Sequence, residues 1–122
     1  MKQLLHAGKY IFISGFSIYI LLHFSLPDKG AAMLPEYFPA PLFWNYFGGI
    51  CILAFMISCF IGKYDKLAAL LMALYVFICA IFIHVPKMQD PMEFVNIFRA
   101  IILIGALLMY AQGFAKDTRF FS

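Results

Sequence analysis

Apolar residues gather into four runs, at 10–26, 42–61, 67–85 and 94–114, and the short stretches between them hold nearly all of the Lys, Arg, Asp and Glu. Each run is about 17 to 21 residues long, enough for a helix rising about 1.5 Å per residue to cross a hydrocarbon core of about 30 Å. Lipid offers no hydrogen-bond partner to backbone N–H and C=O groups, so runs of this kind predict helices rather than single strands. The expected fold is all-α: one domain over 1–122, built as a polytopic membrane four-helix bundle.

The breaks between runs carry their own signals. GKYDK, at 62–66, predicts a tight turn joining antiparallel neighbours, with Lys63, Asp65 and Lys66 solvated. PDKGAAMLPEYFPAPLF, at 27–43, is longer, and its prolines forbid one continuous helix. Met33, Leu34, Tyr37 and Phe38 would let it lie on a membrane surface. Asp90, Pro91 and Glu93 have the order of N-cap, N1 proline and N3 carboxylate for the fourth helix. Aromatic residues mark the boundaries: Tyr37, Phe38, Phe43, Trp44 and Tyr46 before the second helix, and Phe114, Phe120 and Phe121 after the fourth.

Within the runs, small residues predict where helices touch, because membrane helices associate by close packing. Ala69, Ala73, Ala80 and His84 fall within about 60° of one another on a helical wheel. Cys51, Ala54, Ser58 and Gly62 make a similar stripe in the second helix. Gly15, Tyr19 and His23 recur at spacing four in the first, and Arg99, Ala106 and Gly113 at heptad spacing in the fourth.

Composition agrees with the pattern. The chain is 65% hydrophobic and 12% charged, which excludes an ordinary soluble globule. Its net charge of +3 sits at helix ends and so reports orientation, not a nucleic-acid surface. Lys2, Lys9, Lys63, Lys66, Lys116 and Arg119 fall on one side, Lys29 and Lys87 on the other, so the positive-inside rule predicts cytoplasmic termini and an outward-facing loop after helix one. Lys2 and Lys9 before an apolar stretch resemble a secretory signal, but no A-x-A-like site follows, and the run is read as a retained helix.

Three polar residues are then expected in the outer half of the bundle: His23, His84 and Arg99. An intramembrane arginine is costly unless it faces carboxylates, carbonyls or water. Glu93, Asn96, Asp28 and Glu36 are the nearest candidates, and together the seven residues would form an outward-opening pocket for a polar or anionic head group or a quinone carbonyl. The same cluster is equally read as a polar plug that closes the bundle and binds nothing. A haem between His23 and His84 is disfavoured, because the pair lies near the surface without a supporting motif. No metal set is expected. Cys51 and Cys59 stand about 12 Å apart along one helix, beyond the disulfide reach of about 7 Å, and with Cys79 they read as small packing residues. No P-loop, nucleophile elbow or H-E-x-x-H occurs.

LLHF at 21–24, MLPEYFPAPLFWNYFGGI at 33–50, IGKYDKLAALLMALYVF at 61–77 and IHVPKM at 83–88 together resemble the DoxX-like family of small four-helix membrane proteins. The chain departs from that pattern at Ile20, Leu21 and Leu22, where a glycine would be expected, and at Ala54. The resemblance implies the four-helix fold, a bacterial inner membrane and, because the family is named after a thiosulfate:quinone oxidoreductase, a connection to redox complexes. The expected function is a non-catalytic accessory subunit, partnered by other membrane subunits or by copies of itself. The alternative is a quinone-linked oxidoreductase subunit that uses the outer pocket.

Overall fold

The computed structural model describes residues 1–119, which form helices joined by short irregular segments, with no strand among them. Phe120 and Phe121, expected at a membrane boundary, lie outside the described residues. Helices α1 (Lys2–Ser14) and α2 (Ser17–Ser25) make one bent rod, and α3 (Pro27–Ala32) is a short helix after it. Next come α4 (Pro41–Ile61) and α5 (Asp65–Cys79), the latter continued by a π turn (Ala80–His84) and a 3-10 turn (Val85–Lys87), and then α6 (Pro91–Gly113). Four of these rods, Lys2–Ser25, Pro41–Ile61, Asp65–Lys87 and Pro91–Gly113, are long and apolar enough to cross a membrane. Each expected run is found, and the first helix begins eight residues earlier than expected because nothing in KQLLHAGK breaks it.

Local chemistry explains the boundaries. Pro27, Pro41 and Pro91 each occupy the first turn of a helix, where a missing N–H costs nothing. Asp90 caps α6 as predicted, its Oδ1 accepting from Met92 N–H at 2.9 Å. Gly62 ends α4 with φ +72°, a left-handed conformation suited to a residue without Cβ. Pro86 explains the widened turn before it. A regular helix would drive the proline ring into the carbonyl four residues earlier, and the chain opens into a π turn instead.

The rods pack in the order α2–α4–α5–α6, with α1 against α4. Phe55, Ile13, Leu107 and Cys59 are fully buried at the centre, with Phe16 and Phe55 edge to face at 4.9 Å. The alanine stripe of α5 is buried at Ala69, Ala73 and Ala80. The expected stripe on α4 is not the packing face: Ala54 is exposed, and Asn45, Gly48, Gly49, Ile52, Phe55 and Cys59 are buried instead. Gly15 is exposed as well, and Ile13 and Phe16 take the inner face of the first rod. Leucines, isoleucines and phenylalanines on the outside stay exposed, as expected of rods whose outer solvent is hydrocarbon.

Candidate functional site

Three polar stations are built into this bundle, and only two of them use residues expected from the sequence. The first lies where α2 crosses α4 at Gly48 and Gly49. His23 Nδ1–H donates to the Tyr19 carbonyl at 2.6 Å, which leaves Nε2 of the neutral ring as an acceptor. A Cβ on Gly48 would sit 3.3 Å from that Nε2 and would overlap the Tyr75 hydroxyl, so the histidine and the tyrosine converge on the glycine from two helices. Asn45, buried, donates its Nδ2 to the His23 carbonyl at 2.8 Å and fills the space beside Gly30 of α3. This side-chain bond fastens the first rod to α4 at the backbone.

The second station is at the same end of the bundle. His84 closes the π turn and its Nδ1–H donates to Glu93 Oε2 at 2.5 Å. Glu93 therefore does not fold back on its own helix as an N3 cap would. It ties α5 to α6.

The remaining predicted members are placed elsewhere. Arg99 is exposed on the outer surface of α6, with no hydrogen bond or ion pair to the described residues. Asn96 is half-buried, while Asp28 and Glu36 are exposed in the connection between the first rod and α4. The structure thus does not gather the seven residues into one pocket: it pairs His84 with Glu93, sets His23 beside Asn45, Tyr75 and Gly48, and turns Arg99 outward. No group of three metal-ligating side chains occurs among the described residues.

A third station, at the end holding the N-terminus and the GKYDK turn, escapes the sequence reading. Asp65 is not solvated but fully buried. Its Oδ2 accepts from Tyr110 O–H at 3.0 Å and Lys116 N–H at 2.8 Å, and its Oδ1 from Asp117 N–H at 2.8 Å and Lys66 N–H at 3.1 Å. Asp117 reciprocates by accepting Tyr64 N–H at 2.8 Å, which secures Tyr64 at its left-handed φ of 58°. Arg119 forks onto Asp117 at 2.8 and 2.7 Å and lies over the Tyr64 ring. Two aspartates 52 residues apart thereby clasp the α4–α5 turn and the C-terminal segment to each other.

The Arg119 guanidinium, with the Tyr64 N–H second, holds the Asp117 carboxyl well below the usual carboxylate range. A pKa lowered by folding contributes stability above the unfolded value, about 3.9, and loses it only as pH falls through the lower folded value. The Asp117 contacts to Tyr64 and Arg119 should therefore survive at pH 4. The side-chain carboxyl carbon-13 resonance of Asp117 reads this directly: it should titrate below an unfolded aspartate, and a midpoint at or above that value would contradict the geometry.

Comparison with protein-family models, curated proteins and solved structures returns no match. The architecture of the chain is four membrane-length apolar helices, two polar stations at one end, and an aspartate clasp at the other.

Proposed function

We propose that this chain is a non-catalytic accessory subunit of a membrane complex, with its termini in the cytoplasm and the α2–α4 connection facing outward. The observation that carries the reading is Arg99, a charged side chain at the ninth position of a 23-residue apolar helix, pointing away from its own bundle. An intramembrane charge is tolerated where something meets it. The His84–Glu93 and His23–Asn45 contacts are already committed to joining helices, which suits a scaffold. The resemblance to the DoxX-like family supports the same reading and adds a redox complex in a bacterial inner membrane as the setting.

A second reading, a quinone-linked subunit, is favoured by one feature. An apolar groove of about 290 Å³ between α4 and α5, lined by Cys51, Ala54, Ser58, Leu71 and Tyr75, runs beside the point where Tyr75 and His23 converge. A carbonyl head group there would take the Tyr75 hydroxyl, with its apolar tail in the groove.

Cross-linking in the native membrane followed by extraction in mild detergent separates the two. The accessory subunit should emerge in a particle of fixed stoichiometry larger than one chain. A lone monomer under every gentle condition would overturn that reading, and a lone monomer with co-extracted isoprenoid quinone would establish the second.

A further inference from the structure

We propose that the open side of the bundle between α1 and α6 is the docking face for a membrane-spanning helix of a different protein, one that carries a carboxylate at the depth of Arg99. The inference rests on the accessory-subunit reading and adds where the partner sits and what it must bring.

The first and fourth rods close the bundle only through long side chains. Phe12 and Tyr110 meet at a ring separation of 6.5 Å, while the α1 and α6 backbones make little close contact. Between them runs a groove of about 230 Å³ lined by Gly8, Lys9, Phe12, Ala106, Met109 and Phe114. A Cβ at Gly8 or at Gly113 would meet nothing within 4 Å, so a neighbouring backbone can approach there closely. At about 100° per residue Arg99, Ala106 and Gly113 lie within about 40° on α6, which puts Arg99 on the groove's face of that helix, about two turns beyond the groove.

The charge selects the occupant. Arg99 and Gly113 are separated by about 21 Å along the helix, more than one leaflet of a core about 30 Å thick, so a helix can cover the face and a lipid of either leaflet cannot. A second copy is disfavoured by its own inventory. Asp65 is buried in the clasp, Asp117 is held by Arg119, Glu93 by His84, and Asp90 caps α6. Asp28 and Glu36 sit in the connection outside the spans. Symmetric pairing through this face would bring like charges together. A foreign helix with one Glu or Asp supplies what no copy of this chain can.

The test uses the full chain reconstituted in vesicles of neutral phospholipid at pH 8, with a synthetic Leu/Ala transmembrane peptide of about 20 residues carrying a single Glu, or Gln as its control, at matched depth. Energy transfer between labelled peptide and protein should show the Glu peptide associating about tenfold more strongly than the Gln peptide, the scale of one interhelical polar contact. Arg99→Leu should abolish the preference, and Gly8→Leu should weaken both peptides by filling the groove. Both positions are exposed, so unchanged thermal unfolding of the variants will show that the bundle is intact. Equal binding of the two peptides, a preference that survives Arg99→Leu, or self-association of the chain lost on Gly8→Leu would each overturn the proposal. If one of these occurs while the native complex still extracts as a stoichiometric particle, the accessory reading stands and only this face falls.

Discussion

Asp65→Ala is expected to destabilise the protein by about 3 kcal/mol and to release the chain beyond Gly113, although the residue opens a helix in what reads as a surface turn. The carboxylate is fully buried and accepts four hydrogen bonds, three of them from Tyr110, Lys116 and Asp117. Removing it does more than delete an acceptor. The Tyr110 hydroxyl, itself on a buried residue, loses a bond to a charged group, worth about 1.5 to 3 kcal/mol, while the two tail N–H groups are released to water and lose less. Asp65→Asn keeps one acceptor oxygen but turns an NH₂ toward N–H donors, so it should lie between wild type and Ala. Tyr110→Phe keeps all three backbone bonds and should cost only about 1.5 kcal/mol. Unfolding in detergent gives the ranking, and trypsin cleavage after Lys116 gives the mechanism: it should accelerate sharply in Asp65→Ala and little in Tyr110→Phe. Wild-type stability and cleavage for Asp65→Ala would return the residue to a solvated turn.

What could be read in the chain beforehand follows the range of the interactions concerned. The Asp90–Pro91 start of α6 was legible because a cap and its N–H lie two residues apart. The buried face of α5 was legible because alanines at 69, 73 and 80 have few uses in an apolar helix except close packing. Asp65 was not, since its decisive partners stand 45 to 52 residues downstream and only the folded topology brings them to it. Arg99 was misplaced for a different reason. Its heptad companions Ala106 and Gly113 are small, and small residues border an open groove as readily as they line a helix contact. The same ambiguity put Ala54 on the packing face of α4, when it borders the groove toward α5. His84 was placed correctly on a bundle-facing stripe, but its tie to Glu93 rests on the π turn that Pro86 provokes, a local change of helical period that a regular wheel does not contain.

Gly49→Leu should separate the first rod from α4 and cost about 3 kcal/mol, at the upper end of what overpacking usually costs. The Cβ alone would stand 3.0 Å from His23 Cβ and 3.0 Å from two atoms of the Phe24 ring, so even the first carbon of a side chain forces α2 to give. Gly48 next to it is less constrained, since its obstacle is the tip of the Tyr75 side chain, which can rotate aside. Leu at 48 should therefore displace Tyr75 at a smaller cost, whereas Leu at 49 must move a helix. The consequence reaches beyond stability. When α2 lifts from α4, Asn45 loses the His23 carbonyl that holds it at 2.8 Å, and Gly30 loses the asparagine that packs α3 down. Hydrogen exchange should then rise together over α2 and α3 in Gly49→Leu, with the Asp65 clasp at the other end unaffected. A Gly49→Leu protein with wild-type exchange over residues 17–32 would mean that the Gly48–Gly49 crossing does not hold the first rod, and that His23 is held by its own helix alone.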